Sequence, residues 1–203
     1  MWKGFLVGLV VANGFEWIAH KYILHGTHRS GKPRYSPVPD SMKSHWEHHR
    51  EVRKTAFHDH GYVEGISNWR TKNEIVSLAV VATSTSLMFY PVSKGMAFAA
   101  VYSACNYYYI HRRAHLEPDW AMKKIPWHYD HHMNSNQDAN WCVTKPWFDY
   151  VLGTRVISSK DLQEHNPLGI ALPQPISKVL NFVAATYFPA KWVEKVSPLS
   201  IEK

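Results

Sequence analysis

The chain has 203 residues, 45% of them hydrophobic, and a formal charge of +7 with its 14 histidines neutral. That length suits a single domain, 1–203, with a core of ordinary size. The basic excess alone would admit nucleic acid, but no Cys-His zinc-finger spacing or aromatic RNP pattern accompanies it, so nucleic acid is not an expected partner. Two cysteines, Cys105 and Cys142, cannot make a disulfide framework.

The first apolar stretch runs from Trp2 to Ala19 and, continued toward Leu24, is about long enough to cross a bilayer. It carries no small-x-small cleavage site, and cleavage would discard Glu16, so a retained span over 2–24 is expected rather than a signal peptide. Two further apolar runs, 74–92 and 96–110, are joined by "PVSKG" and predict a helical hairpin, the second arm continuing through "HRRAH" to about residue 113. Tyr107, Tyr108 and Tyr109 would mark the membrane interface. Cys105, inside the third run, reads as a small buried hydrophobe.

Lys and Arg are dense between His20 and Lys72, whereas the hairpin turn carries only Lys94. The positive-inside rule therefore puts the polar segments and everything after Ile110 in the cytoplasm, with the N-terminus outside. Trp127, Trp141 and Trp147 would wall an acyl channel or, as tryptophan's usual membrane position favours, anchor the polar part at the interface. Ile176, Val179, Leu180, Val183 and Tyr187 predict a helix over 176–188, too short to span, that lies in the interface or packs on the cap. The expected fold class is all-α: an integral, multi-pass membrane helical bundle whose cytoplasmic helical cap holds the polar chemistry.

That chemistry is histidine. "HKYILH", "HWEHH", "HRRAH" and "HYDHH" contain ten of the imidazoles. Residues four apart on a helix differ by about 40° and share a face, so His111 and His115 can point at one metal. His45, His48 and His49 fall within about 100° of arc, as do His128, His131 and His132. His20 and His25, five apart, diverge by about 140° on a straight helix and share an ion only if the helix unwinds. A lone histidine is more often a surface or hydrogen-bonded core residue than a ligand. Ten in four clusters are too many for one zinc, which takes four ligands, and suit two ions. Imidazole accepts zinc, iron, copper and nickel alike. No HExxH is present, so zinc-protease chemistry is unsupported. Neutral ligands and open positions favour iron with dioxygen. His28, His58, His60 and His165 belong to no cluster and read as structural or surface groups.

Glu16 lies one turn before His20 and is a candidate to accept its free ring N–H, since an acid in an apolar helix should have a partner. Asp130 and Asp138 are weaker candidates for the same supporting role, either being readable as a solvated charge.

The order H-x4-H, H-x2-HH, H-x3-H, H-x2-HH, together with "NQDANWCVTKPWFDYVLGTR" at 136–155, resembles the fatty acid hydroxylase and sterol desaturase superfamily of histidine-rich, membrane-bound di-iron oxygenases. The resemblance covers most of the chain, from His20 to Arg155. It implies that His20, His25, His45, His48, His49, His111, His115, His128, His131 and His132 are all ligands of one dinuclear centre. It also implies two iron ions, replaceable by zinc in a purified protein, with dioxygen as co-substrate. The implied reaction is hydroxylation of a fatty-acyl or related lipid chain entering from the bilayer, with no catalytic residue beyond the metal ligands. Some relatives carry a fused cytochrome b5 domain; here a separate donor is expected, a cytochrome b5-like protein, a ferredoxin or a reductase. Relatives also often have another apolar helix before the first motif.

Within the superfamily, sterol desaturation, carotenoid hydroxylation and ether-lipid cleavage use the same cofactor. The spacer containing "SGKPRYSPVPD" looks more like the acyl hydroxylases. An alternative of another class is a histidine-rich membrane metal transporter or metal-binding protein. Transport would favour polar groups within the spans, where only the run Thr83 to Ser86 offers any.

Overall fold

The computed structural model describes residues 1–26, 32–158, 166–188 and 191–192, so His28 and His165 lie outside the described residues. The chain forms two compact units, Met1–Glu117 and Pro118–Lys203.

The first unit is built on α1 (Trp2–Ile18), α2 (Asp40–Lys54), α3 (Gly61–Glu64), α4 (Trp69–Phe89) and α5 (Lys94–Leu116). α5 packs on both α1 and α4, and α2 packs on α4. The α1–α5 contact depends on glycine. A Cβ at Gly8 would stand 2.5 Å from that of Ala99, and one at Gly95 would stand 2.2 Å from the carbonyl of Met1. Only backbone without side chain permits that approach. Asn68 caps α4 by accepting from the N–H groups of Arg70 and Thr71, and Ser93 caps α5 by accepting from Met96, each satisfying an otherwise open helix N-terminus. α2 is amphipathic: Met42, His45, His48, His49 and Val52 are buried while Lys43 and Arg50 face outward.

The second unit contains α6 (Pro118–Lys124), α7 (Pro126–Met133), α8 (Trp147–Val151), β1 (Val156–Ile157), α9 (Gln174–Tyr187) and β2 (Lys191–Trp192), the two short strands pairing in parallel. Its irregular middle is tied by buried Asp149. That carboxylate accepts from the backbone N–H of Trp141 at 2.8 Å and of Cys142 at 2.9 Å, and from the Thr154 hydroxyl at 2.7 Å. Trp127 and Trp141 are core residues here rather than interface anchors, and the Trp127 indole donates to the Val143 carbonyl at 2.8 Å.

No helix among the described residues is long and apolar enough to cross a membrane. This overturns the integral membrane bundle, its spans over 2–24, 74–92 and 96–113, its multi-pass membrane location, and the cytoplasmic placement drawn from them. The chain is mostly helical, as expected; the physical reasons for the correction lie at the helix ends. α1 keeps α geometry for 17 residues, about 25 Å of rise against a hydrocarbon layer of about 30 Å. Residues 19–24, counted toward that span, form a π-helical turn around buried His20. α4 begins at Trp69, so Arg70, Lys72 and Glu74 occupy its opening turns, and α5 ends in "HRRAHL". Leu6 and Val10 of α1, Val80 and Leu87 of α4, and Phe98 of α5 are exposed. Cys105 is exposed on α5, contrary to its reading as buried. The expected helix over 176–188 is present as α9, with Ser177 and Ala184 buried and Ile176, Val179, Phe182 and Tyr187 exposed.

Candidate metal centre

A straight α-helix would send His20 and His25 to different faces. The chain solves this by changing helix type: the His25 N–H donates to the His20 carbonyl at 2.9 Å, the i→i−5 bond of a π-turn. The turn over Ala19–Leu24 brings the two ring centroids to 5.2 Å. Two histidines of "HWEHH" meet them. His45 and His49, one turn apart on α2, have ring centroids at 4.7 Å, and His25 and His49 are also at 4.7 Å. The candidate ligand nitrogens of His20, His25, His45 and His49 lie within 4.8 Å of one another.

The distances within this group fit an ion. Nε2 of His45 is 3.0 Å from Nε2 of His20 and 3.1 Å from Nε2 of His49. Each imidazole nitrogen carries either one proton or one lone pair in the ring plane, so a single linear hydrogen bond serves only one of these two contacts. A cation accepts all three lone pairs. At metal–nitrogen distances of about 2.1 Å, neighbouring ligands stand about 3.0 Å apart at 90° and about 3.4 Å apart at the tetrahedral angle. The observed spacings are short enough for neighbouring ligands of one ion.

His48, between its two neighbours in sequence, turns to a second group with His111 and His115 of α5. Ring centroids are 5.0 Å for His48–His111, 4.5 Å for His48–His115 and 4.9 Å for His111–His115. The candidate ligand nitrogens of all three again lie within 4.8 Å of one another. Each Nδ1 faces an oxygen: Asp59 Oδ2 for His48 at 2.7 Å, Glu74 Oε1 for His111 at 2.6 Å, and the Phe57 carbonyl for His115 at 2.9 Å. Asp59 also accepts from Arg70 Nη2 at 2.7 Å and the Gly61 N–H at 2.8 Å, and Glu74 from the Tyr62 hydroxyl at 2.6 Å.

Electrostatics follow from burial. Burial opposes charge on His48, outweighing the Asp59 hydrogen bond, and holds it below its ordinary 6.5; burial, with His48 and His111 alongside, holds His115 well below the same value. Burial alone would raise Asp59, but hydrogen bonds from His48, Gly61 and Arg70 hold it well below the usual carboxylate range. Glu74 is likewise lowered against its burial, by His111 and Tyr62. His48 and His115 therefore remain neutral, as metal ligands must. With folded values below unfolded ones, the unfolded chain binds more protons below pH 6.5, so stability falls as pH decreases through that range. The metal-free protein is expected to lose up to about 1.4 kcal/mol per pH unit for each of these two histidines. Thermal unfolding at a series of pH values below 7 in the presence of chelator checks it.

Seven of the ten expected ligands thus fall in two groups within the first unit. His128, His131 and His132 are buried on α7 of the second unit, with ring centroids of 4.6 Å for His128–His132 and 5.3 Å for His131–His132. His131 Nδ1 donates to the Ala139 carbonyl at 2.7 Å. Asp130, between them in sequence, is no solvated charge: its carboxylate accepts from Arg155 Nη1 at 2.8 Å and from Ser158, and all of it is buried. Asp138 is exposed, while Glu16 is half-buried.

α1, α4 and α5 border a partly open cavity of about 520 Å³ within the first unit. Gly8, Met88 and Met96 line it at one level of the helices, His20, Glu74 and His111 at another, with Val81 between. His45, His48 and Tyr62 also line it, as does Glu16. From Gly8 to His20, from Glu74 to Met88 and from Met96 to His111 the helices rise about 18–22 Å. The cavity is elongated and mainly apolar, and both histidine groups border it.

Sequence reading missed Asp59 and Glu74. Asp59 stands inside "HDH", set aside because its histidines match no motif. Glu74 opens an apolar run, the same signal that singled out Glu16. Comparison with known proteins gives no match: no family model, no curated protein and no solved structure.

Proposed function

We propose that this protein is a di-iron oxygenase that hydroxylates a C–H bond of an extended alkyl chain, such as a fatty-acyl chain, with dioxygen and electrons from a separate donor. The observation that carries this reading is the elongated apolar cavity bordered by both histidine groups. The groups could each hold a metal ion; iron as that metal is part of the proposal and comes from the superfamily resemblance, the imidazole donors being compatible with it. Bound iron would supply the oxygen-activating chemistry. One dioxygen, two electrons and two protons convert the C–H bond to an alcohol and release one water.

The chain's own residues do the rest. His20, His25, His45 and His49 would hold one ion, and His48, His111 and His115 the other. His128, His131 and His132 enter this proposal through the superfamily resemblance alone. Leu78, Val81 and Met96, half-buried in the cavity lining, would lie along the alkyl chain. The cavity's length favours an extended chain over fused rings, hence hydroxylation of an acyl chain over sterol desaturation.

The test is anaerobic loading with ferrous iron, counting of bound metal, then addition of reductant and measurement of oxygen uptake with and without saturated fatty acids. Two bound irons, chain-dependent uptake and a product gaining one oxygen atom are expected. A product losing two hydrogens would redirect the reading to desaturation. Oxygen uptake indifferent to every chain, with metal carried across vesicles, would replace it with transport.

A further inference from the structure

We propose that Asp59, Glu74 and the Phe57 carbonyl are positioning groups that decide which nitrogen His48, His111 and His115 offer to a metal. This rests on the reading that these three histidines hold an ion. A neutral imidazole has one protonated nitrogen and one lone pair, and free in solution it exchanges between them. A ligand must carry its proton on the nitrogen away from the metal. Here each Nδ1 lies at 2.6–2.9 Å from an oxygen of a carboxylate or a carbonyl. An ionised carboxylate and a carbonyl only accept, and the Tyr62 hydroxyl, 2.8 Å from His111 Nδ1, gives its one proton to Glu74 at 2.6 Å, so each Nδ1 is the donor and each Nε2 keeps its lone pair.

The oxygens are themselves held. Asp59 is fixed by Arg70 and the Gly61 N–H, and Glu74 by the Tyr62 hydroxyl, so neither carboxylate swings freely. Phe57 and Asp59 come from one tight segment after α2, the helix that carries His48. Ala56 and Phe57 there adopt φ of 52° and 78°, a left-handed conformation disfavoured for non-glycine residues. Burial of the Phe57 ring against His115, centroids 4.6 Å apart, and the Phe57 N–H bond to the Val52 carbonyl at 2.8 Å retain it. The reversal aims the Phe57 carbonyl at His115 while Asp59 reaches back to His48. The turn thereby preorganises two of the three nitrogens, those of His48 and His115, while Glu74 on α4 sets the third, that of His111.

Two measurements test this. Long-range proton–nitrogen correlation spectra of the metal-free wild-type protein, at neutral pH, should show the Nδ1–H tautomer for His48, His111 and His115; an Nε2–H tautomer at any of them overturns the proposal. Cobalt(II) titration, followed by its visible absorption, should show one of two sites in Asp59→Asn and in Glu74→Gln weakened by about 10–100-fold, the other unchanged. Folded variants that bind both ions as wild type does would also overturn it. Should either variant fail to fold, the wild-type tautomers decide. Should wild type bind no cobalt at all, the oxygenase reading fails, and the tautomer spectra still judge this one separately.

Discussion

Under the proposed reading, replacing His45 with alanine should cost one of the two expected ions and, with it, all oxygen uptake that depends on an alkyl chain. Its Nε2 is the middle member of a row, 3.0 Å from His20 and 3.1 Å from His49, and the residue also borders the cavity. If a site of four nitrogen donors binds its ion with about 10–16 kcal/mol, each donor supplies on the order of 3 kcal/mol, or about two orders of magnitude in affinity. Losing the central donor removes the nitrogen that stands beside both His20 and His49. Metal counting after dialysis of loaded protein measures the effect. His60→Ala, at an exposed ring outside both groups, should retain both ions. Two ions held with wild-type affinity by His45→Ala would remove that residue from the centre.

Asp130→Ala should destabilise the full chain by about 3–5 kcal/mol, because it leaves the Arg155 guanidinium buried without its carboxylate. Arg155 and Asp130 are both wholly buried and pair at 2.8 Å. The same guanidinium donates to Asn140 Oδ1 at 3.0 Å, and Asn140 in turn binds both backbone polar groups of Val156. These bonds tie α7, which carries three of the histidines, to the segment around β1. Burial pushes the Asp130 carboxyl up while Arg155 and Ser158 pull it back, so the group depends on those partners to stay charged. Asp138→Ala, at an exposed position, should change stability by no more than about 0.5 kcal/mol. Chemical denaturation of both variants compares them directly; equal stability would mean the buried pair contributes no more than a surface charge.

The histidine groups were partly legible in advance because helix geometry is local. Four-residue spacing alone puts His45 with His49 and His111 with His115 on common faces. His20 and His25 required the π-turn, which the sequence does not announce, since an i→i−5 bond competes closely with the regular helix and is decided by what the ring packs against. Asp59 and Glu74 were not legible as partners. They meet His48 and His111 across 11 and 37 residues, and no periodicity reports such contacts. The spans failed for a related reason: a count of apolar residues says nothing of where a helix begins, and α4 begins on Arg70 and Lys72 while α1 gives way at Ala19.

By itself the sequence determined the local, repeating features: long helices and the imidazoles that share one helical face. These depend on bond geometry within a few residues. Tertiary structure alone decided that His48 parts from His45 and His49, that two carboxylates and a strained carbonyl fix the ring protons, and that no helix among the described residues is long and apolar enough to span a membrane. Those outcomes turn on which surfaces exclude water together, a property of packed helices that no single stretch of chain possesses.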